Sequence, residues 1–300
     1  MPTIVTRHRL AAFFAGSFIL SSAVAAAQTP RVENPRPPIL RGLDHFFVTS
    51  PNPEPLYHFF RDTLGLPEVY PFRDYGDFAS GIVSMGNVLF EVVTWKVPPG
   101  ETLPVELKGL AFEPNGSVSE TLRLFKEYGL PDQKPDSVTM TDSTGVKRLA
   151  YVNIGLDGPG GLPPAMGSIF INDNLGSAGA VMRRKAGAEE LLRRKGGPLG
   201  LVSVRELTIG VQDTAAALAQ WRKTFGNSKL ERDGVITWEI GPAMRFVTAP
   251  ADAILEMVLA VRSIDDARRF LESKGMAKLE AGQLYFAPAA VRGLRIRLVE

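Results

Sequence analysis

His45 and Glu91 are the side chains of this sequence best placed to do chemistry, because each interrupts an apolar stretch. His45 lies in the run Leu43 to Val48, and Glu91 lies in the run Val88 to Val93. A carboxylate among apolar side chains is costly unless it is paired or bound to a ligand. A lone strand histidine is commonly a core residue satisfied by hydrogen bonds. The residue types alone therefore leave both a structural and a functional interpretation of His45 open.

Neighbouring aromatic and basic side chains could form a small-molecule pocket. The aromatic candidates lie in or beside strand-like stretches, where plain core packing is the common alternative: Phe47, Phe72, Tyr75, Phe78 and Trp95. Arg73 and Arg148 would hold a carboxylate or phosphate of a substrate, with surface placement as the alternative. His58 lies beside Arg61 and Asp62 and off the apolar stripe of its helix, so we expect it at the surface.

Several reaction classes are excluded by composition. The chain has 3 histidines and no cysteine, so no Ser-His-Asp or Cys-His arrangement can be drawn. The segment Gly158 to Gly161 is followed by no Lys-Ser/Thr pair and is not a phosphate loop. The net charge of +2 falls to about zero without residues 1–27, which carry Arg7 and Arg9. Neither a nucleic-acid partner nor a membrane-surface partner is implied.

The elements that must position these residues form a repeat of β-α-β-β-β order. In the first copy, a strand at Leu43 to Val48 precedes a helix whose apolar stripe ends at Gly65, a predicted C-cap. Three further strands are predicted at Glu68 to Arg73, Phe78 to Ser84 and Asn87 to Trp95.

Three more copies follow along the chain. The second starts at Leu107, with a helix capped by Ser117 and Glu120 that ends at Gly129, and later strands at Ser137 to Thr141, Arg148 to Ile154 and Ser168 to Ile171. The third begins at Val204, with Asp213 or Thr214 as N-cap and Leu218, Trp221 and Phe225 on the buried stripe before Gly226. The fourth starts near Ile254, is capped by Ser263, packs through Phe270 and ends with a strand at Leu294 to Val299.

A shared spacing supports the repeat. Counting back 20 residues from Gly65, Gly129 and Gly226 gives His45, Gly109 and Glu206, each in the middle of a first strand. The same count from Gly275 gives Leu255, one residue from Glu256. Four segments with strand, helix and cap in phase are hard to obtain by chance, so the repeat predicts the fold.

The chain ends and the joint between copies define the domain plan. Residues 1–27 read as a signal peptide, with Arg7 and Arg9 before an apolar run and small residues from Ala23 to Ala27. Residues 28–38 are a proline-rich tether. Residues 39–175 and 200–300 are predicted to form two domains of two copies each, joined by a linker at 176–199. The basic run Arg183 to Lys185 suggests a polyanion site, but Glu189 and Glu190 favour a solvated linker.

The run Leu43 to Val48, the helix end Leu64 to Pro67 and the strand Gly86 to Glu91 resemble the vicinal oxygen chelate superfamily. That superfamily includes glyoxalase I, bleomycin-resistance and fosfomycin-resistance proteins and extradiol dioxygenases. The resemblance implies an α+β fold in which paired β-α-β-β-β modules form curved mixed sheets, each enclosing a cup. It places His45 and Glu91 at two ligand positions for a divalent metal, Mn, Fe, Ni or Zn.

The sequence departs from that pattern in the later modules. Gly109 cannot bind a metal, and the last-strand position of module two falls near Asn172, a poor ligand. In the second domain, Glu206 and Glu256 face Arg245 or Phe246 and Arg297, which favours a structural ion-pair cluster or an anion pocket over a metal site.

Two functions remain open from the sequence. The first is a metal-assisted enzyme, of lyase, isomerase or dioxygenase type, in which His45 and Glu91 hold the ion and Glu91 also carries a proton. Its substrate pocket would include Phe47, Phe72, Arg73, Tyr75 and Asn172. The second is a metal-free, bleomycin-resistance-like binding protein. We expect an exported, periplasmic chain with a small-molecule ligand and no membrane partner once the signal is removed; a homodimer is left open.

Overall fold

The computed structural model describes residues 37–131, 134–141, 145–156, 169–173, 178–225, 229–230 and 233–300. The predicted signal peptide and all but the end of the tether lie outside these residues, as do the segment Gly158 to Gly161 and Gly226. Within this part of the chain, no helix is long and apolar enough to cross a membrane.

The first sheet has eight strands and contains the first two modules. Its spatial order is β2-β3-β4-β1-β5-β8-β7-β6. The strands are β1 (Leu40–Thr49), β2 (Glu68–Asp74), β3 (Phe78–Ser84), β4 (Leu89–Trp95), β5 (Glu106–Pro114), β6 (Asp136–Thr141), β7 (Lys147–Gly155) and β8 (Ile169–Asp173).

The second sheet repeats this order with the last two modules, as β10-β11-β12-β9-β13-β16-β15-β14. Its strands are β9 (Leu201–Val211), β10 (Lys229–Leu230), β11 (Val235–Thr237), β12 (Ala243–Thr248), β13 (Ala253–Val261), β14 (Ala277–Glu280), β15 (Gln283–Phe286) and β16 (Ile296–Val299).

Strand pairing is the same in both sheets. The two first strands of each sheet pair antiparallel at its centre, β1 with β5 and β9 with β13. Each module's last strand pairs parallel with its own first strand. The predicted α+β fold of paired β-α-β-β-β modules is therefore confirmed.

In the described part of the chain, five α-helices accompany the strands, one in each module and one in the joint, which also contains a short 3-10 helix at Gly197–Leu199. They are α1 (Pro53–His58, continued by a π-helical turn over Phe59–Thr63), α2 (Val118–Glu127), α3 (Ala178–Arg193), α4 (Thr214–Phe225) and α5 (Ile264–Ser273). The predicted caps are present: Ser117, Ser263 and Asp213 each accept a hydrogen bond from a backbone N–H three residues on. Gly65 has a φ of 68°, the left-handed conformation of a helix-ending glycine.

The module helices bury their apolar stripes against one face of each sheet. Phe60, Phe125 and Trp221 are buried as predicted, and Phe270 is partly buried against the same core. The ring of Phe60 lies 4.7 Å from that of Phe90 in β4, which in turn lies 5.1 Å from Phe46 in β1. Phe46 and Phe90 therefore mark the helix-covered face of the first sheet. The opposite face, which carries His45, Phe47, Glu91 and Trp95, is called the cup face below.

The two sheets share one hydrophobic core. Phe112 of β5 packs against Trp221 and Trp238, with ring centroids 5.9 and 5.4 Å away. The Asn87 side chain accepts from the backbone N–H of Val204 and donates to its carbonyl, at 3.0 and 2.9 Å. The junction between the sheets is thus packed and hydrogen-bonded.

Candidate functional site

His45 and Glu91 lie on neighbouring strands and meet on the cup face. His45 is opposite Leu89 in the parallel pairing of β1 with β4, and Glu91 follows two residues later on the same side. Their side chains converge, with 3.7 Å between His45 Nε2 and Glu91 Oε2. Both side chains are mostly buried, at 12% and 16% exposed. The structure therefore brings together the two residues that the sequence singled out.

Asp44 is a site residue that the sequence analysis missed. A β-bulge between Leu43 and His45 interrupts the alternation of β1, and the Asp44 carboxylate lies 2.8 Å from His45 Nδ1. This contact occupies Nδ1 and leaves Nε2 directed at Glu91. The cost of burying a charge in an apolar strand, which drew attention to Glu91, applies equally to Asp44 and could have found it.

Arg184 corrects the interpretation of the joint as a solvated linker. Its side chain is 12% exposed, and its Nη1 lies 2.5 Å from both Asp44 Oδ1 and Glu113 Oε2. Its acidic partners belong to β1 and β5 of the first sheet. Two carboxylates of the first sheet neutralise Arg184, so the guanidinium can leave water at a tolerable cost.

The charges of the site continue towards the loop before β12 of the second sheet. Glu113 also accepts a hydrogen bond from Arg41, at 2.8 Å, and Arg41 Nη2 lies 3.5 Å from Glu239. Acidic and basic side chains therefore alternate along a path of seven residues: Glu91, His45, Asp44, Arg184, Glu113, Arg41 and Glu239. Each buried charge is therefore flanked by charges of opposite sign.

The charged forms of both Asp44 and His45 are favoured. Burial disfavours the Asp44 charge, but its hydrogen bond with His45 and the charges of His45 and Arg184 bring its pKa below the ordinary value of 3.8. Burial also disfavours a charged His45, yet the Asp44 hydrogen bond and the charges of Asp44 and Glu91 raise its pKa above 6.5. The site thus favours an imidazolium between two carboxylates.

Aromatic side chains continue the cup face beyond His45 and Glu91. The rings of Phe47 and Trp95 meet edge to face at 5.5 Å, and Tyr75 stacks on Phe78 at 4.8 Å. Phe78 is opposite Trp95 in the pairing of β3 with β4, so these four rings form one aromatic wall. Tyr75 and Trp95 are 38% and 39% exposed, so the wall is open to a ligand.

The remaining predicted pocket residues lie elsewhere or outside the described side chains. Phe72 packs against Tyr57 of α1, at 5.8 Å, and so lies on the helix side, which corrects its assignment to the pocket. A register shift between Tyr70 and Arg73 interrupts the regular alternation of side chains between the two faces of β2, so the face of Phe72 does not follow from its position in the strand. Arg73 is exposed, and His58 is at the surface, as expected, 2.9 Å from Asp62. The backbone of Asn172 pairs with that of Asn153 in the sheet, and its side chain is not among those that the structure describes.

The module-two ligand position is filled by another side chain. A β-carbon at Gly109 would lie far inside van der Waals contact with the Phe47 ring, which occupies that space. Among the described residues, no group of three or more His, Asp or Glu side chains could hold a metal ion. His45 and Glu91 fit two positions of a metal site, whereas a third ligand at position 109 does not fit.

The equivalent positions of the second sheet hold ion pairs. Arg245 Nε lies 3.0 Å from both oxygens of Glu206, and Glu256 is held by Arg297 at 2.8 Å and Arg295 at 3.0 Å. Arg245 is two residues beyond the partner of Glu206, just as Glu91 is two beyond the partner of His45. The predicted structural ion-pair cluster is confirmed.

Comparison with known proteins gives matches at the level of structure. No protein-family model matches the chain, and no curated protein matches it. A variant of homoprotocatechuate 2,3-dioxygenase from Brevibacterium fuscum is 12% identical, with a TM-score of 0.50 over 90% of this chain and 73% of that one. The same enzyme from Arthrobacter globiformis is 11% identical, with a TM-score of 0.49 over 89% and 81% of the chains.

A Mn(II)-bound glyoxalase from Novosphingobium aromaticivorans is also similar, at 11% identity and a TM-score of 0.48 over 87% of this chain and 82% of that one. Identities this low speak to the fold and not to the activity. The strand order and the match to the Brevibacterium fuscum enzyme together show that the chain shares the fold of that dioxygenase, as the sequence resemblance implies.

Proposed function

We propose that the cup face of the first sheet binds a small planar molecule that carries a hydroxyl group, with the His45–Glu91 pair as its polar anchor. The observation that carries this proposal is the gap between the two side chains. At 3.7 Å, Nε2 and Oε2 are too far apart for a direct hydrogen bond. A ligand hydroxyl placed beside the pair, within hydrogen-bond reach of both atoms, would accept from the Nε2–H of the imidazolium form of His45 and donate to Glu91.

The surroundings of the pair support an aromatic ligand. The aromatic wall adjoins the pair, and its exposed rings, Tyr75 and Trp95, offer faces and edges for stacking. Apolar walls with a few polar groups are typical of small-molecule sites. Asp44 holds His45 through Nδ1, so the Nε2 donor keeps its direction while the ligand binds.

Catechol and phenol are suitable probes for the mature protein. We expect saturable binding by calorimetry, and Glu91→Gln to weaken it by about tenfold, the equivalent of one lost charged hydrogen bond. Glu54→Gln, at an exposed carboxylate on α1, is the matched control and should leave the affinity unchanged. Trp95→Phe should remove most of the ligand-induced change in fluorescence, because the other two tryptophans, Trp221 and Trp238, pack against Phe112 at the junction. If neither probe binds, this function is wrong.

A divalent ion at the same pair is the second candidate. The observation in its favour is the Asp44–His45–Glu91 arrangement, since metal-binding histidines commonly donate their other ring N–H to a carboxylate. When bound, the ion would act as a Lewis acid on ligand oxygens. Catechol is titrated into the protein once in the presence of EDTA and once with added Mn²⁺. Catechol binding that requires Mn²⁺, and that is lost in both His45→Ala and Glu91→Ala, favours the ion.

We also propose that the chain is exported to the periplasm and cleaved near Gln28. The support is the sequence of residues 1–27, with its basic start, apolar run and small residues. Mass spectrometry of periplasmic material should show an N-terminus close to Gln28. Mature protein that retains Met1 would contradict export by this route.

A further inference from the structure

We infer that Arg184 is a positioning residue for the His45–Glu91 site, supplied by α3 from outside the two modules that form the cup. The inference rests on the proposed function and adds a residue that holds the anchor in place. Arg184 reaches the site at Asp44, with its Nη1 2.5 Å from Asp44 Oδ1. It acts through Asp44.

The Asp44 carboxylate is held from both sides. Its Oδ2 contacts His45 Nδ1 at 2.8 Å, and its Oδ1 contacts Arg184 Nη1 at 2.5 Å. Rotation about the last side-chain torsion of an aspartate is otherwise broad. With one oxygen fixed by Arg184, the other stays in line with the imidazole. The orientation of His45, and hence the direction of Nε2, then depends on the guanidinium.

The α3 backbone brings Arg184 to a fixed place at one end of the cup face. A β-carbon at Gly187 would lie 2.8 Å from Ser84 Cβ and 3.0 Å from Val69 Cγ2, so the helix touches β2 and β3 closely there. Leu191 is buried, and Arg183 donates to the Tyr70 hydroxyl at 2.9 Å and lies over its ring. The helix therefore closes the end of the cup face opposite the partly exposed Tyr75 and Trp95.

A second acid fixes the guanidinium itself. Glu113 Oε2 lies 2.5 Å from the same Nη1 that contacts Asp44, and Arg41 holds the other oxygen of Glu113. Side chains held by packing and by supporting hydrogen bonds keep a site within its productive geometry. Arg184 is thus the link between the site and the charged path towards Glu239.

The experiment compares Arg184→Met with Arg183→Met, the neighbouring arginine that contacts Tyr70 and not the site. The expected result is a loss of catechol affinity of about tenfold for Arg184→Met and less than about twofold for Arg183→Met. Arg184→Lys should recover part of the loss, because an ammonium can still donate to Asp44.

A second readout follows His45 directly, without a ligand. Proton NMR of the wild type should show a His45 Nδ1–H signal protected from exchange by Asp44, and Arg184→Met should lose it while the backbone amide spectrum stays dispersed. A purely structural arginine would leave this signal in place in a folded variant. If Arg184→Met unfolds, the same comparison is made with Arg184→Lys, for which we expect a weakened signal.

These outcomes separate the inference from the proposed function. Wild-type affinity and an unchanged Nδ1–H signal in folded Arg184 variants would overturn the positioning role and leave the ligand site standing. Failure of catechol and phenol to bind the wild type, with the Nδ1–H signal still dependent on Arg184, would overturn the ligand site and leave the positioning role.

Discussion

Asp44→Asn is expected to lower the free energy of unfolding by about 3–5 kcal/mol, the usual cost of removing one partner from a buried charge pair. Asp44 is 8% exposed and faces both His45 and Arg184. The asparagine side chain keeps the shape but leaves two buried cations without their shared counterion. Denaturant unfolding of the wild type and the variant at neutral pH measures the difference.

The size of this loss should depend on pH. Folding raises the pKa of His45. Its charged form therefore contributes its full stabilisation below pH 6.5, and this contribution is lost as the pH rises through the pKa of the folded state. Folding lowers the pKa of Asp44. Its charged form therefore stabilises the folded protein above pH 3.8, and this contribution is lost as the pH falls through the pKa of the folded state. The difference in unfolding free energy between wild type and Asp44→Asn should therefore be largest between pH 3.8 and 6.5. It should be smaller at alkaline pH, where only the interaction of Asp44 with Arg184 remains.

An exposed pair of the same chemistry is the control. His58 Nδ1 lies 2.9 Å from Asp62 on α1, with the two side chains 39% and 54% exposed. Exposed ion pairs contribute about 0–1 kcal/mol, so Asp62→Asn should change little. A loss below about 1 kcal/mol for Asp44→Asn would show that the Asp44 charge is not held as the structure describes.

Trp221→Ala should cost about 3–5 kcal/mol of unfolding free energy, through lost apolar burial and the cavity that remains. The indole is fully buried, 5.3 Å from the Phe246 ring and 5.9 Å from Phe112, so the cavity would open between α4 and both sheets. Denaturant unfolding monitored by far-UV circular dichroism measures the loss without relying on tryptophan fluorescence.

Trp95→Ala is the matched control for Trp221, because Trp95 is 39% exposed on the cup face. We expect a loss of about 1 kcal/mol or less there, since much of its surface already meets water. A similar small loss for Trp221→Ala would show that α4 does not pack at the junction.

The fold could be predicted because its signals are local and repeated. The apolar stripe, the capping serine and the helix-ending glycine each act within about a turn of helix, and they recur at one spacing. The convergence of His45 and Glu91 followed from the same repeat, since both occupy cup-face positions of neighbouring strands. The ion pairs of Glu206 and Glu256 followed from equivalent positions in the second sheet.

The parts that could not be predicted depend on distant or irregular contacts. Arg184 meets Asp44 across 140 residues of sequence, so nearby acids such as Glu189 gave a misleading picture of its surroundings. The bulge at Asp44 and the register shift before Arg73 break the two-residue period of their strands, so the faces on which Asp44 and Phe72 lie could not be derived from a simple alternation. The alternation of polar and apolar residues along a strand does not show where a bulge or a register shift occurs.

The Phe47 ring also restricts the order in which mutations can change this site. A histidine or glutamate at position 109 would collide with the ring at its first side-chain atom, so such a change is not tolerated while residue 47 is large. Shrinking residue 47 first would leave a cavity at a nearly fully buried position, at a cost of about 3–5 kcal/mol. Gain of a third ligand therefore needs two substitutions, each deleterious alone. This epistasis would keep a lineage with Phe47 and Gly109 from gaining a metal-binding side chain at position 109 even where selection favoured one.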